Sequence, residues 1–421
     1  MSDNRKTQSD SLAGGGNFTT ANLHGDRRDK PEHGVLHKAI HTSVAYTYDD
    51  ARDLAAVFQG RKAGYNYGRQ QNPTVNALQA RITRMEGGLT STAFATGMAA
   101  IGSTLFALLR SGDHVISSAF LFGNTNSLFQ SFKNFGVEVT FVDSTDAANV
   151  KAALQPNTRL VFTETIANPV TQIADLAAIG ELCREHGLVY IVDNTMTSPW
   201  LFQPRTVNAT FVVNSLTKFI GGHGDALGGM LTDTGLYDWT NYPNIPEMYK
   251  NGDPALWGTT QVRKKGLRDF GATLGPEAAH HLAVGSETLS LRLDRACDNA
   301  QRLAEFCAAH PNVKHVNYPG LTSHPQHERS KQLFRRHGAL MSIELADGMD
   351  VFEFLNSLRC VIASSNLGDT RTLAIPVAHT IFYEMGAERR ASMGIGENLI
   401  RLSVGIEDIE DLLTDFKHAL G

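Results

Sequence analysis

The sequence predicts an α/β fold: a mostly parallel sheet flanked by helices, followed by a smaller C-terminal α/β domain. Three observations carry that expectation. Short apolar runs recur between segments whose apolar residues follow a 3.6-residue period, the mark of strand–helix alternation. The runs are strand-length and rich in Val and Ile. A chain of 421 residues with 42% hydrophobic content can also bury more than one core.

Residues 1–23 are polar, include Gly14-Gly15-Gly16, and carry no apolar run of the signal-peptide kind, so they read as a flexible tail. Residues 24–68 form an arm of little periodicity with a short amphipathic helix at 51–58. Val75, Leu78, Ile82 and Met85 share one helical face over 73–85. Strands are expected at Val115-Ile116, 137–142, 160–162, 189–192 and 211–213. Between them lie helices such as 176–186, where Leu176, Ile179, Leu182 and Cys183 lie together. Residues 233–257 hold three prolines with Tyr237 and Trp239 and read as a surface insertion in a large domain, 69–275. A long helical pattern at 276–310 opens the C-terminal domain, 276–421, which adds a strand at 339–345 and helices at 351–358 and 406–420.

The bulk numbers exclude several classes. A formal charge of −5 leaves no basic footprint for nucleic acid or an anionic membrane. No apolar stretch reaches bilayer length. Cys183, Cys297, Cys307 and Cys360 are scattered, fitting neither a disulfide framework nor a zinc site, and the chain reads as cytoplasmic. No G-x-G-x-x-G opens a helix after the first strand, which argues against a dinucleotide-binding dehydrogenase. His33, His37 and His41 recur every four residues, but the segment looks extended and lacks an acidic third ligand, so no metal is expected.

The chemistry concentrates around one lysine. Asn214-Ser215-Leu216-Thr217-Lys218 runs into Gly221-Gly222-His223, and upstream an apolar run ends in Asp193-Asn194-Thr195. A lysine set between hydroxyls and a glycine turn suits an aldehyde cofactor held through its amine, and pyridoxal phosphate (PLP) is such a group. Its phosphate needs an anion cradle. Ala95-Thr96-Gly97-Met98 is a small-residue turn into a helix, although such a turn also serves plain packing. Ser215 and Thr217 offer hydroxyls from the other side. Asp193 at a strand end suits the pyridine nitrogen, and Phe120 or Phe122 could cover the ring face.

On these residues the chain resembles the Cys/Met-metabolism group of PLP-dependent enzymes, from about residue 24 to 420. Asp193-Asn194-Thr195, Ser215-Leu216-Thr217-Lys218 and Gly221-Gly222-His223 look like that family's cofactor core. So do Tyr65-Asn66-Tyr67-Gly68-Arg69, Asn72-Pro73-Thr74 and Glu164-Thr165-Ile166-Ala167-Asn168-Pro169. Arg401-Leu402-Ser403-Val404-Gly405 looks like its carboxylate-binding region. The resemblance implies fold type I of the PLP-dependent transferases, with a seven-stranded sheet, and a homotetramer of two dimers with shared active sites. It implies that Lys218 carries the cofactor and moves protons, that Asp193 meets the pyridine nitrogen, and that Asn168 lies by the phenolic oxygen. Gly97, Met98, Ser215 and Thr217 would hold the phosphate, with Tyr67 and Arg69 reaching it from the neighbouring subunit. Arg401 would grip the substrate α-carboxylate.

Two departures bear on the substrate. Relatives usually place a Tyr-Gly pair over the cofactor; here it is Phe122-Gly123, which keeps the stacking at a catalytic position and loses the phenolic acid. Asn124 and Asn366 are candidate substrate contacts. The run from Asn366 to Leu373 resembles the O-acetylhomoserine sulfhydrylase branch. Ala374-Ile375-Pro376-Val377-Ala378-His379-Thr380 departs from it, is expected to shape the side-chain pocket, and offers His379 as a substitute acid. The implied activity is γ-replacement or γ-elimination on an O-substituted homoserine-type amino acid. The alternative is a γ-lyase acting on methionine, cystathionine or canavanine.

Overall fold

Seven strands build the larger sheet of the computed structural model, which describes residues 17–25 and 32–421. They are β1 (Thr90–Phe94), β2 (His114–Ser118), β3 (Glu138–Val142), β4 (Thr158–Glu164), β5 (Val189–Asp193), β6 (Phe211–Ser215) and β7 (Gly229–Asp233). Their order is β1-β7-β6-β5-β4-β2-β3. Neighbours from β6 to β3 pair in parallel, and β7 runs against both β1 and β6. Helices cover both faces, so β5 is buried throughout its apolar run from Val189 to Val192.

Local signals set the helices that frame the sheet. The helix Pro73–Glu86 starts on Asn72, whose side chain accepts the Thr74 and Val75 N–H groups, has Pro at its first position, and ends at Gly87 in the left-handed region (φ 62°). It buries Val75, Leu78, Ile82 and Met85, the face expected from the spacing. The helix Gly97–Leu108 starts on Thr96, whose side chain accepts the Ala99 N–H.

The smaller sheet follows the order β10-β11-β12-β9-β8, from β8 (Val313–Asn317), β9 (Leu340–Leu345), β10 (Ile362–Ala363), β11 (Leu373–Pro376) and β12 (Leu399–Ser403). The helices Leu289–Ala308 and Ile409–Leu420 pack on it around Leu303, Ile343, Leu402 and Phe416.

Several expectations need correction. The pattern at 276–310 is two helices, Pro276–Glu287 and Leu289–Ala308, broken at Thr288 (φ −101°, ψ 11°). Arg292 occupies the break, donating to Thr288 Oγ1 and Gly285 O. The 233–257 segment is not wholly superficial: Trp239 is fully buried against Phe211, and the Tyr242 hydroxyl donates to Leu108 O at 2.9 Å. Part of the expected tail is ordered as the helix Phe18–His24, with Phe18 against Trp200 and Asn22 donating to Ser286 O. Residues 1–16 lie outside the described residues.

Candidate active site

The C-terminal ends of β4, β5 and β6 converge on a cavity of about 730 Å³, closed on its far side by residues 365–367 and Arg401 of the smaller domain. Ligands of open α/β sheets bind at this end of the strands. Gly97, Met98, Phe122, Asn124, Asn168 and Asp193 line it, as do Ser215, Thr217, Lys218, Asn366 and Arg401. Phe122 is therefore the loop aromatic at the cavity, and Phe120 does not line it.

Lys218 leaves the end of β6 in a tight turn, with Gly221 N donating to Leu216 O and Gly222 N to Lys218 O, each at 2.8 Å. Arg292 holds this turn from behind, donating to Phe219 O (2.7 Å) and Ile220 O (3.0 Å). Gly222 suits this turn because its φ of 75° is one that L side chains rarely adopt, and a Cβ there would also displace the Arg292 guanidinium. The Lys218 Nζ donates to Asn366 Oδ1 at 2.8 Å. Burial, and then the Arg401 charge, lower its pKa to about 8, so the nucleophilic free amine is accessible near neutrality.

Small residues bring the anion cradle close to β6. A Cβ on Gly97 would fall 2.9 Å from Ser215 Cβ, and one on Gly229 2.1 Å from Thr96 O. The Gly97 and Met98 N–H groups open the helix without intrahelical partners. The Thr217 hydroxyl is engaged with Gly228, accepting from its N–H at 3.0 Å.

Two carboxyl groups meet where β4 and β5 end, Glu164 lying opposite Asp193 in the register. Asp193 Oδ1 accepts the Thr195 N–H (3.0 Å) and hydroxyl (2.5 Å). Glu164 Oε1 accepts the Phe122 N–H at 2.9 Å, and Oε2 has no partner among the described residues. Burial and then the Asp193 charge push Glu164 up to about 8, and burial raises Asp193 as well. Close by, buried Asn168 Oδ1 also lacks a partner among the described residues.

Arg401 lies on β12, 1% exposed, and donates through Nη2 to Ser365 O (3.0 Å) and Asn366 O (2.7 Å). Its Nε is without a partner among the described residues, and burial lowers its pKa to about 10. A buried guanidinium whose bonds among the described residues go to carbonyls is suited to a carboxylate ligand.

Tyr67 and Arg69 do not line this cavity. Tyr67 is exposed, with the Arg69 guanidinium 5.4 Å from its ring, and Thr273 Oγ1 donates to Arg69 O. His379 also lies outside the lining, its Nε2 3.1 Å from Glu397 O and its ring beside Phe352. It is therefore not placed to act as the substitute acid. Residues 374–376 belong to β11, and Ile381 is the nearby residue that reaches the cavity. Glu164 and Arg292 are site residues that the sequence did not single out: Glu164 opens the Glu164–Pro169 run, whereas Arg292 looks like any helix arginine. His33, His37 and His41 form no metal-binding group of three among the described residues.

The profile of the Cys/Met metabolism PLP-dependent enzymes matches residues 19–421. The chain belongs to this family. It is 38% identical over 406 residues to the L-methionine gamma-lyase of Pseudomonas putida, covering 96% of this chain and 97% of the relative. It is 33% identical over 427 residues to the O-acetyl-L-homoserine sulfhydrylase of Leptospira meyeri, covering 95% and 96%. A Campylobacter jejuni structure assigned as an O-acetylhomoserine (thiol)-lyase, and holding a pyridoxyl-lysine phosphate, superposes with a TM-score of 0.91 at 32% identity, covering 96% of this chain and all of that one. As a Cys/Met-metabolism enzyme the protein is PLP-dependent and of fold type I. Its cavity fits that cofactor: it sets the Lys218 amine, the Asp193–Glu164 pair, the unpartnered Asn168 Oδ1 and free helix N–H groups around one space.

Proposed function

We propose that the protein catalyses γ-replacement or γ-elimination on an O-substituted homoserine-type amino acid, with PLP bound covalently through Lys218. The carrying observation is the chain of contacts from Lys218 Nζ to the Asn366 side chain, and from the Asn366 carbonyl to Arg401. It sets the proton-moving amine a fixed distance from the group that binds the substrate carboxylate. Asp193 would face the pyridine nitrogen and Asn168 the phenolic oxygen. Gly97, Met98, Ser215 and Thr217 would hold the phosphate, and Phe122 would cover the ring.

When bound, the cofactor supplies an electron sink for charge developing at Cα. Arg401 orients the substrate by its carboxylate, and the neutral Lys218 amine takes the Cα proton and returns it during turnover. Phe122 excludes water above the ring but offers no proton to a departing atom. That favours a leaving group stable as an anion, such as an ester carboxylate, over a thiolate. A γ-lyase remains the second reading, favoured by the identity to the Pseudomonas putida enzyme.

The supporting assembly is a homotetramer of two dimers, in which Tyr67 and Arg69 complete a neighbour's phosphate site. Apolar side chains on the arm, Leu36, Val44 and Phe58, are exposed in the single chain and would be covered by a second copy. Four unpaired cysteines are in keeping with a cytoplasmic enzyme.

Incubation with O-acetylhomoserine, O-succinylhomoserine, methionine, cystathionine and canavanine, with and without sulfide, tests the reading. Homocysteine formed only with sulfide supports replacement on a homoserine ester. Sulfide-independent release of an oxo acid or homoserine supports the lyase, and no turnover of any of the five overturns both.

A further inference from the structure

Glu86, the last residue of the Pro73–Glu86 helix, is fully buried beneath the strand ends that carry the site. Its Oε1 accepts the side-chain amide of Asn214 at 2.6 Å and that of Asn194 at 3.0 Å. Asn194 follows Asp193, and Asn214 precedes Ser215. Two buried oxygens are left over, Glu86 Oε2 and Asn214 Oδ1, and neither has a partner among the described residues. They belong to the two side chains already joined at 2.6 Å. An ionised carboxylate offers only acceptors, so these oxygens would stay unpaired. A protonated carboxyl turns Oε2 into a donor, for which Asn214 Oδ1, on the side chain already bonded to Oε1, is an unpartnered acceptor among the described residues.

We propose that Glu86 is a positioning residue kept as the neutral acid, whose bonds to Asn194 and Asn214 fix the ends of β5 and β6 so that Asp193 and Ser215 face the same cavity. The positioning half of this proposal rests on the reading of Asp193 and Ser215 as cofactor ligands. Burial pushes the Glu86 carboxyl from 4.5 up to about 7, against the two amide bonds, which lower it. Several of the charged and titratable groups on the surrounding elements are held by other partners. Arg81 of the same helix pairs with Glu287 at 3.2 Å, and His280 on the Pro276–Glu287 helix faces His37. Asp193 on β5 is held by Thr195, and Asp233 on β7 by the Thr259 hydroxyl. Arg84 of the same helix lies by Gly25, Arg205 lies by Gly87, and His24 belongs to the Phe18–His24 helix.

The conservative variant is informative because glutamine reproduces the neutral acid: its oxygen accepts both amides and its nitrogen donates to Asn214 Oδ1. A folded pKa raised from 4.5 to about 7 gives stability that is full below 4.5 and is lost as pH rises through 7. Thermal unfolding of the cofactor-free protein and of Glu86→Gln, from about pH 5 to about pH 9, reads this directly. The Tm of Glu86→Gln should gain on that of the wild type as pH rises to about 7 and then hold its lead. A difference that does not change with pH means Glu86 is already ionised, and overturns the neutral acid.

Positioning is read separately, by equilibrium binding of PLP at about pH 7. Glu86→Gln should bind within about twofold of wild type, and Glu86→Ala, which strands both amides, about tenfold more weakly or worse. Equal affinity in all three proteins overturns the positioning role. If Glu86→Ala does not fold, Asn214→Leu serves in its place. A wild type that shows the Tm signature but binds no PLP would refute the cofactor reading and leave the neutral acid standing.

Discussion

Arg401 shows how a single side chain can be costly to the fold and necessary to the site. Its guanidinium is buried and, among the described residues, bonds to the carbonyls of Ser365 and Asn366. Replacing a buried charge by an apolar group of similar size often leaves a protein as stable or more so, whereas removing one partner of a buried charge pair costs about 2–5 kcal/mol of binding. Arg401→Met should therefore lower kcat/KM by about 10²-fold or more without lowering Tm, as steady-state kinetics and thermal unfolding would report. It should also move Lys218. The Arg401 charge helps burial hold that amine at about 8, so the pH midpoint for covalent uptake of PLP by the cofactor-free enzyme should rise in the variant. An unchanged midpoint would mean that the two cations are not coupled. Lys218 and Asp193 could be read from their neighbours in sequence because each sits in a dense local motif. Arg292 could not, because its role depends on carbonyls seventy residues away that only folding brings to it.

At the level of elements, β4, β5 and β6 were legible from central runs that are wholly apolar, and β2 and β3 from shorter or alternating ones. β4, β5 and β6 are covered on both faces, so burial writes itself directly into composition. β1 and β7 escaped because their buried positions include hydroxyls that satisfy one another, as Ser91 and Thr232 do at 2.8 Å. The 233–257 segment was misjudged for a related reason: prolines and irregular spacing hide how deeply Trp239 and Tyr242 pack. The junction of β7 with the Thr96–Gly97 turn is the tightest requirement on the anion cradle. In Gly229→Ala the added methyl would lie 2.1 Å from Thr96 O. This variant should lose about 1–3 kcal/mol of stability and bind PLP more weakly, measured by denaturant unfolding and by cofactor titration. Unchanged cofactor affinity would show that the turn does not hold the phosphate.

For the whole molecule, the proposed assembly completes each site with residues of a second chain. Every cofactor or substrate residue expected from the sequence lines a single cavity, except Tyr67 and Arg69, which lie outside it where the arm meets the large domain. If they serve a neighbour, mixing Lys218→Ala subunits with Arg69→Ala subunits should restore activity that neither has alone. In a symmetric dimer with shared sites, random reassortment leaves roughly a quarter of the sites intact. No recovery after verified subunit exchange would confine each site to one chain. That Lys218 holds the cofactor can be tested on one residue. Borohydride reduction of the PLP-loaded protein, followed by peptide mapping, should place a pyridoxyl label on the peptide containing Lys218 and on no other, with none in Lys218→Ala. A label on a different lysine, or a protein that takes up no PLP, would mean that Lys218 does not hold the cofactor.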